Sequence, residues 1–132
     1  MKRAAPLALG VLGLALQAHG APRGASAAAP SAGERAYQKC YACHSLEGPD
    51  PTTEGPSLKG IVGREVAAEA GFRYSTAMLD YAGRQATWDR ETLDAFVADP
   101  QAIVPDNEMG FFGIADPTER RVLLDYLAAT GS

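Results

Sequence analysis

Apolar positions recur at helical spacing in four places along the 132-residue chain, and nowhere does strict alternation run long enough for a strand pair. The clearest pattern is near the end. Asp116 is placed to cap a helix, Pro117 to take its first turn and Glu119 to close a capping-box-like pair. Arg120, Leu123, Leu124 and Leu127 then share one face, and Gly131 marks the stop. A second helix is predicted over residues 89–98, where Leu93, Phe96 and Val97 share a face and Pro100 follows the end. A shorter one is predicted over residues 75–81. Ser31-Ala32-Gly33-Glu34 has capping-box spacing, so another helix starts near Ala32 and runs on into residues 40–44, with Tyr37 as its apolar anchor. Residues 45–73 and 101–113 carry many Gly and Pro and little periodicity, and they read as long loops. The expected fold class is all-α.

Loops of that length are uncommon in a small domain unless they wrap something functional. The chain is long enough for one domain, with organisation 1–20 export signal, 21–30 flexible lead-in and 31–132 folded domain. Lys2 and Arg3, an uncharged apolar stretch to Leu16, and Ala18-His19-Gly20 before the cut make the signal. The alternative is an uncleaved anchor, against which the apolar run is short, since a membrane span needs about 20 residues. Residues 21–30, rich in Ala, Pro, Gly and Ser, make the lead-in. The chain has 16 acidic and 12 basic side chains, a net charge of −4, which argues against nucleic-acid binding. Export implies an oxidising compartment.

Cys40-Tyr41-Ala42-Cys43-His44 carries the chemistry. C-x-x-C-H is the attachment signature of c-type haem: two thiols add to the vinyl groups and the neighbouring imidazole ligates iron. Three other readings exist for such a motif. A redox-active C-x-x-C needs a βαβ setting, which the pattern lacks. Zinc takes four protein ligands, or three plus water. These are the only cysteines, and the only other histidine, His19, lies in the signal, so one trio within five residues is too compressed for a tetrahedral site. The third reading is a packed structural disulfide. Export of a haem-attached C-x-x-C requires that the host keep both thiols reduced until attachment.

The order of further motifs resembles class I cytochrome c, closest to the mitochondrial branch and its bacterial relatives. Gly55-Pro56-Ser57-Leu58-Lys59-Gly60-Ile61-Val62-Gly63-Arg64 is similar to that family's Gly-Pro-x-Leu-x-Gly-x-x-Gly-Arg segment, and Gly71-Phe72-Arg73-Tyr74-Ser75 to its Gly-Phe-x-Tyr-Thr/Ser. Trp88, Thr92-Leu93, Pro100, Pro105, Met109 and Phe111 follow in the family's order, and Glu119-Arg120 through Tyr126-Leu127 match its last helix. The likeness extends from about Gly33 to Thr130.

The resemblance implies helices and long loops around one covalently bound haem c, held through Cys40 and Cys43. It implies His44 as proximal ligand, with the Pro56 carbonyl accepting a hydrogen bond from its other ring nitrogen, and Met109 as distal ligand. A soft thioether favours ferrous iron and so raises the potential. Arg64, Tyr74 and Trp88 match residues that hydrogen-bond the haem propionates, Asn107 stands where a threonine usually makes a polar contact near one, and Phe111 is counted among the haem-binding residues by its place in the family's order. Met78, the other internal methionine, reads as core. The implied function is a periplasmic one-electron carrier, not an enzyme: a monomer without stable membrane insertion, meeting electron-donor and electron-acceptor redox proteins such as a quinol-oxidising complex, a terminal oxidase, a reaction centre or a dehydrogenase. The rival classes are a peroxide-reducing enzyme and a gas-binding sensor, both of which need an open iron position.

The chain departs from the family in three ways. Phe96 replaces a tyrosine whose hydroxyl approaches the methionine sulfur. The interval from Tyr74 to Trp88 is three residues longer. The lysines that ring the exposed haem edge of mitochondrial members give way to Gln101, Ala102, Glu108, Ala115 and Asp116, with Lys39 remaining. Docking is therefore expected to be mainly apolar or onto a basic patch.

Overall fold

The computed structural model describes residues 28–131; the expected export signal and most of the expected lead-in lie outside the described residues. Five helices follow in order: α1 Ala32–Tyr37, α2 Thr76–Ala82, α3 Arg90–Ala98, α4 Pro100–Ile103 and α5 Pro117–Ala129. Among the described residues there are no named strands, only an isolated antiparallel bridge between Glu65 and Thr87. No helix among them is long and apolar enough to cross a membrane.

Local chemistry starts each helix. At α1 the Ser31 hydroxyl accepts from Glu34 N (3.1 Å) while the Glu34 carboxylate accepts from Ser31 N (2.6 Å), a complete capping box. Ser75 caps α2 through Met78 N, and Asp89 caps α3 through Thr92 N. At α5 Asp116 accepts from Thr118 N rather than from the third residue. Glu119 does not close the expected box; its carboxylate reaches Lys39 at 2.7 Å, because a full charge beyond α1 competes better than one neutral N–H.

Two expected boundaries also move. The first helix does not run into residues 40–44: it stops at Tyr37, and the segment continues as turns, with Cys40 N donating to Tyr37 O and His44 N to Cys40 O. The loop expected over residues 101–113 begins inside α4, where Pro100 supplies the first turn and Asp99 the cap, accepting from Ala102 N.

Burial follows the predicted faces. Leu93 and Phe96 of α3 and Leu123, Leu124 and Leu127 of α5 meet Ala36, Ile61, Val66, Trp88, Val104 and Ile114 in one core, with Met78 packed at its edge. Helices α1 and α5 cross so closely that a Cβ on Gly33 would meet the Tyr126 Cβ at 2.4 Å. The end of α5 is similarly tight. Gly131 approaches the backbone of Gly60, and a Cβ there would lie 2.8 Å from the Gly60 Cα, so this glycine serves a close contact rather than the left-handed turn expected of a helix stop. Arg120 joins α5 to α3 by a forked pair with Asp94 (2.9 and 3.2 Å) and also donates to the carbonyls of Ile114 and Ala115.

Candidate functional site

Turns after α1 bring Cys40, Cys43 and His44 together on a backbone held from both sides. The Tyr37 hydroxyl donates to His44 O at 2.5 Å, and Gly55 N donates to Cys43 O at 2.8 Å. Both cysteines are free thiols, Cys40 partly buried and Cys43 exposed, so the motif is not a disulfide here. Burial pushes the Cys40 thiol up to about 11. Among the described residues no group of three or more His, Cys, Asp and Glu side chains is placed to hold a metal ion.

The His44 ring is fixed by two contacts. Nδ1 lies 2.7 Å from the Pro56 carbonyl oxygen, to which only an N–H can bond. Gly55 packs so tightly on the ring that a Cβ there would sit 2.4 Å from Cε1, and any side chain would displace the imidazole. Burial lowers the His44 pKa, while the Pro56 bond opposes the shift. The neutral ring with Nδ1–H committed to Pro56 leaves the Nε2 lone pair free to ligate.

The loop beyond His44 is organised by groups the sequence motifs did not single out. The buried Ser57 donates its backbone N–H to the Glu69 carboxylate at 2.7 Å, and Glu69 N donates to the Tyr74 hydroxyl at 3.1 Å. Burial is the main reason the Tyr74 phenol titrates above its ordinary value, so it keeps its proton at neutral pH. No sequence pattern marks Glu69, whose partners lie twelve and five residues away.

Arg64 is half-buried. Its Nη2 donates to Ser57 O at 2.6 Å and its Nη1 to Lys59 O at 3.1 Å, so two of its nitrogens tie down the loop. Its Nε is buried without a partner among the described residues. Such an orphan donor is costly, and a carboxylate acceptor beside it would remove that cost. The backbone of Arg64 pairs with that of Trp88: Trp88 N donates to Arg64 O and Gly63 N to Trp88 O. The buried Trp88 ring packs in tilted contact with Tyr81 (5.7 Å) and Phe96 (5.0 Å).

The loop after α4 carries Met109 and Phe111, both half-buried against the core, with Phe111 N donating to Met109 O at 2.8 Å. Asn107 is buried, its Nδ2 donates to Pro100 O (3.1 Å) and Val104 O (2.8 Å), and its Oδ1 accepts from Met109 N (2.9 Å). Both its donors are engaged by backbone carbonyls. What Asn107 does is bind the backbone of Met109 to the end of α4. The signal is an Asn two residues before a Met, but its partners depend on α4, a four-residue helix that no apolar periodicity marks.

The chain also has clear relatives, although no family model matches it. It is 39% identical over 97 residues to cytochrome c-type cyt cy of Rhodobacter capsulatus, a match spanning 73% of the chain and 46%, about half, of that relative. It is 38% identical over 92 residues to cytochrome c2 iso-2 of Magnetospirillum fulvum, covering 70% of the chain and 92% of the relative. The solved structure of cytochrome cH from Methylobacterium extorquens superposes with a TM-score of 0.66 at 36% identity, over 74% of the chain and 95% of that structure.

Proposed function

The chain belongs to the class I cytochromes c, and from that membership we propose that it is a periplasmic one-electron carrier with one covalent haem c, whose iron His44 and Met109 would ligate. The haem, when bound, supplies the one-electron redox couple. The single observation that carries this reading is the restrained His44: its Nδ1–H is committed to Pro56 and its ring is clamped by Gly55, directly after two free thiols.

The chain's own residues then divide the work. Cys40 and Cys43 hold the group by thioether bonds. Pro56 O orients the imidazole and strengthens it as a donor. The orphan Arg64 Nε fits a propionate oxygen, although the rest of that guanidinium already serves the loop. Met109 supplies a soft thioether from a loop tied down by Asn107. Two protein ligands leave no open position for substrate, which favours a carrier over a peroxide-reducing enzyme or a gas sensor. A packed core of Trp88, Phe96 and Leu123 limits reorganisation when charge changes. Its partners are an electron donor and an electron acceptor, met through small transient interfaces by a monomer.

The absorption spectrum of the purified ferric and ferrous protein tests this. A sulfur-to-iron charge-transfer band in the far red, with no response of the ferrous form to carbon monoxide, is expected. Rapid carbon monoxide binding and no such band would replace the carrier with a protein of open iron.

A further inference from the structure

Phe112 is 99% exposed, the most exposed large apolar side chain among the described residues. Single exposed apolar residues are ordinary, but this one is held in place on both sides. Before it, Phe111 is half-buried against the core, and in an extended segment neighbouring side chains point to opposite faces, so Phe112 is directed away from the protein. After it, Gly113 has φ +94° and lies against the end of α3, where a Cβ would come within 2.1 Å of Ala98 O. Ile114 N then donates to Val97 O at 2.9 Å. The backbone that carries the ring cannot shift without breaking these contacts. A phenylalanine presented on a pinned backbone loses little conformational freedom when covered, which is the property of an interface anchor.

The charge along this segment is mostly acidic: from Glu91 to Glu119 inclusive there are seven carboxylates and no lysine or arginine, and the basic group that reaches it, Arg120 on the Ile114 and Ala115 carbonyls, is paired with Asp94. Asp94 is paired with Arg120 and Glu119 with Lys39. Asp99, at the end of α3 where Gly113 packs, and Asp106, Glu108 and Asp116, within six residues of Phe112, are exposed and have no salt-bridge partner among the described residues. A like-charged rim repels a second copy of this chain and an anionic lipid surface, and attracts a basic face.

We propose that Phe112 is the apolar anchor of a docking surface for a redox protein whose own face carries an apolar pocket ringed by lysine or arginine. This rests on the carrier reading above. In the docked encounter one electron leaves the ferrous carrier and one is gained by the oxidised partner, with no atom transferred.

Stopped-flow oxidation of the ferrous holoprotein tests it, with tris(1,10-phenanthroline)cobalt(III) as an apolar trication, hexaamminecobalt(III) as a trication of equal charge without apolar surface, and ferricyanide as an anion. Each cobalt(III) or iron(III) reagent takes one electron. F112S is expected to slow the phenanthroline complex about tenfold, the loss of one anchoring side chain, and to leave the other two rates within about twofold. F112Y is expected to keep the fast rate. E108K is expected to slow both cobalt reagents and speed ferricyanide. Equal rates for F112S and wild type with the phenanthroline complex would overturn the proposal, as would a concentration-dependent dimer in sedimentation that F112S abolishes. Carbon monoxide binding by the wild-type ferrous protein would instead mark failure of the carrier reading, whatever F112S does.

Discussion

Replacing Asn107 with alanine removes three hydrogen bonds at once from a side chain that is 8% exposed. Val104 O loses a bond of 2.8 Å, Pro100 O one of 3.1 Å, and Met109 N its acceptor at 2.9 Å. Pro100 O still accepts from Val104 N and Val104 O from Asn107 N, so only Met109 N is left unpaired, at a cost of about 1–3 kcal/mol. Because these bonds tie Met109 to α4, the loss falls first on the methionine loop and only then on global folding. Two assays separate the two. Guanidinium unfolding of the holoprotein gives the global term. Titration of the ferric protein with imidazole, which competes for the position proposed for Met109, gives the local one. A local loss of about 2 kcal/mol raises the apparent imidazole affinity about 30-fold. Asn107→Asp keeps an acceptor for Met109 N but sets a carboxylate against two carbonyls, and it is expected to be at least as damaging at neutral pH. Imidazole affinity within twofold of wild type in Asn107→Ala, together with a loss of stability below about 0.5 kcal/mol, would refute the reasoning.

Gly33→Ala forces a Cβ to 2.4 Å from the Tyr126 Cβ and 2.9 Å from Val122 O; separating α1 from α5 is expected to cost about 1–3 kcal/mol, read as a lower melting temperature of the holoprotein. Phe96→Tyr places a hydroxyl in the core beside Trp88, and if its dipole faces the methionine sulfur the reduction potential rises, by at most about 60 mV for a hydrogen bond of ~1.4 kcal/mol felt in one oxidation state; voltammetry reads this, and an unchanged potential means the hydroxyl does not reach the sulfur. Asp89 titrates below its ordinary value of 3.8, chiefly because Thr92 N–H donates to it, so its cap stabilises α3 above that value and is lost as pH falls through the lower folded pKa. Asp89→Asn, which keeps the cap without the titration, is expected to flatten the fall in stability on acidification, and an unchanged acid limb would count against the cap.

What the sequence by itself determined was everything written in short-range chemistry. The Ser31–Glu34 box, the Asp89 cap and the Pro117 first turn each involve residues within four positions of one another, so composition at fixed offsets sufficed to locate α1, α3 and α5. The leucines of α5 announced the core, because a 3.6-residue period says which face is buried without saying against what. The attachment motif was legible for the same reason, since Cys40, Cys43 and His44 are contiguous. Tertiary structure decided the rest. The first helix stops at Tyr37, whose hydroxyl is drawn to His44 O, seven residues on. Glu119 abandons its local cap for Lys39, eighty residues earlier in the chain. Asn107 is consumed by carbonyls that α4 places above it, and Arg64 by carbonyls of the loop it closes. In each case a polar group had several partners of similar strength available, and which one it took depended on where distant backbone came to rest, a choice that no local pattern encodes.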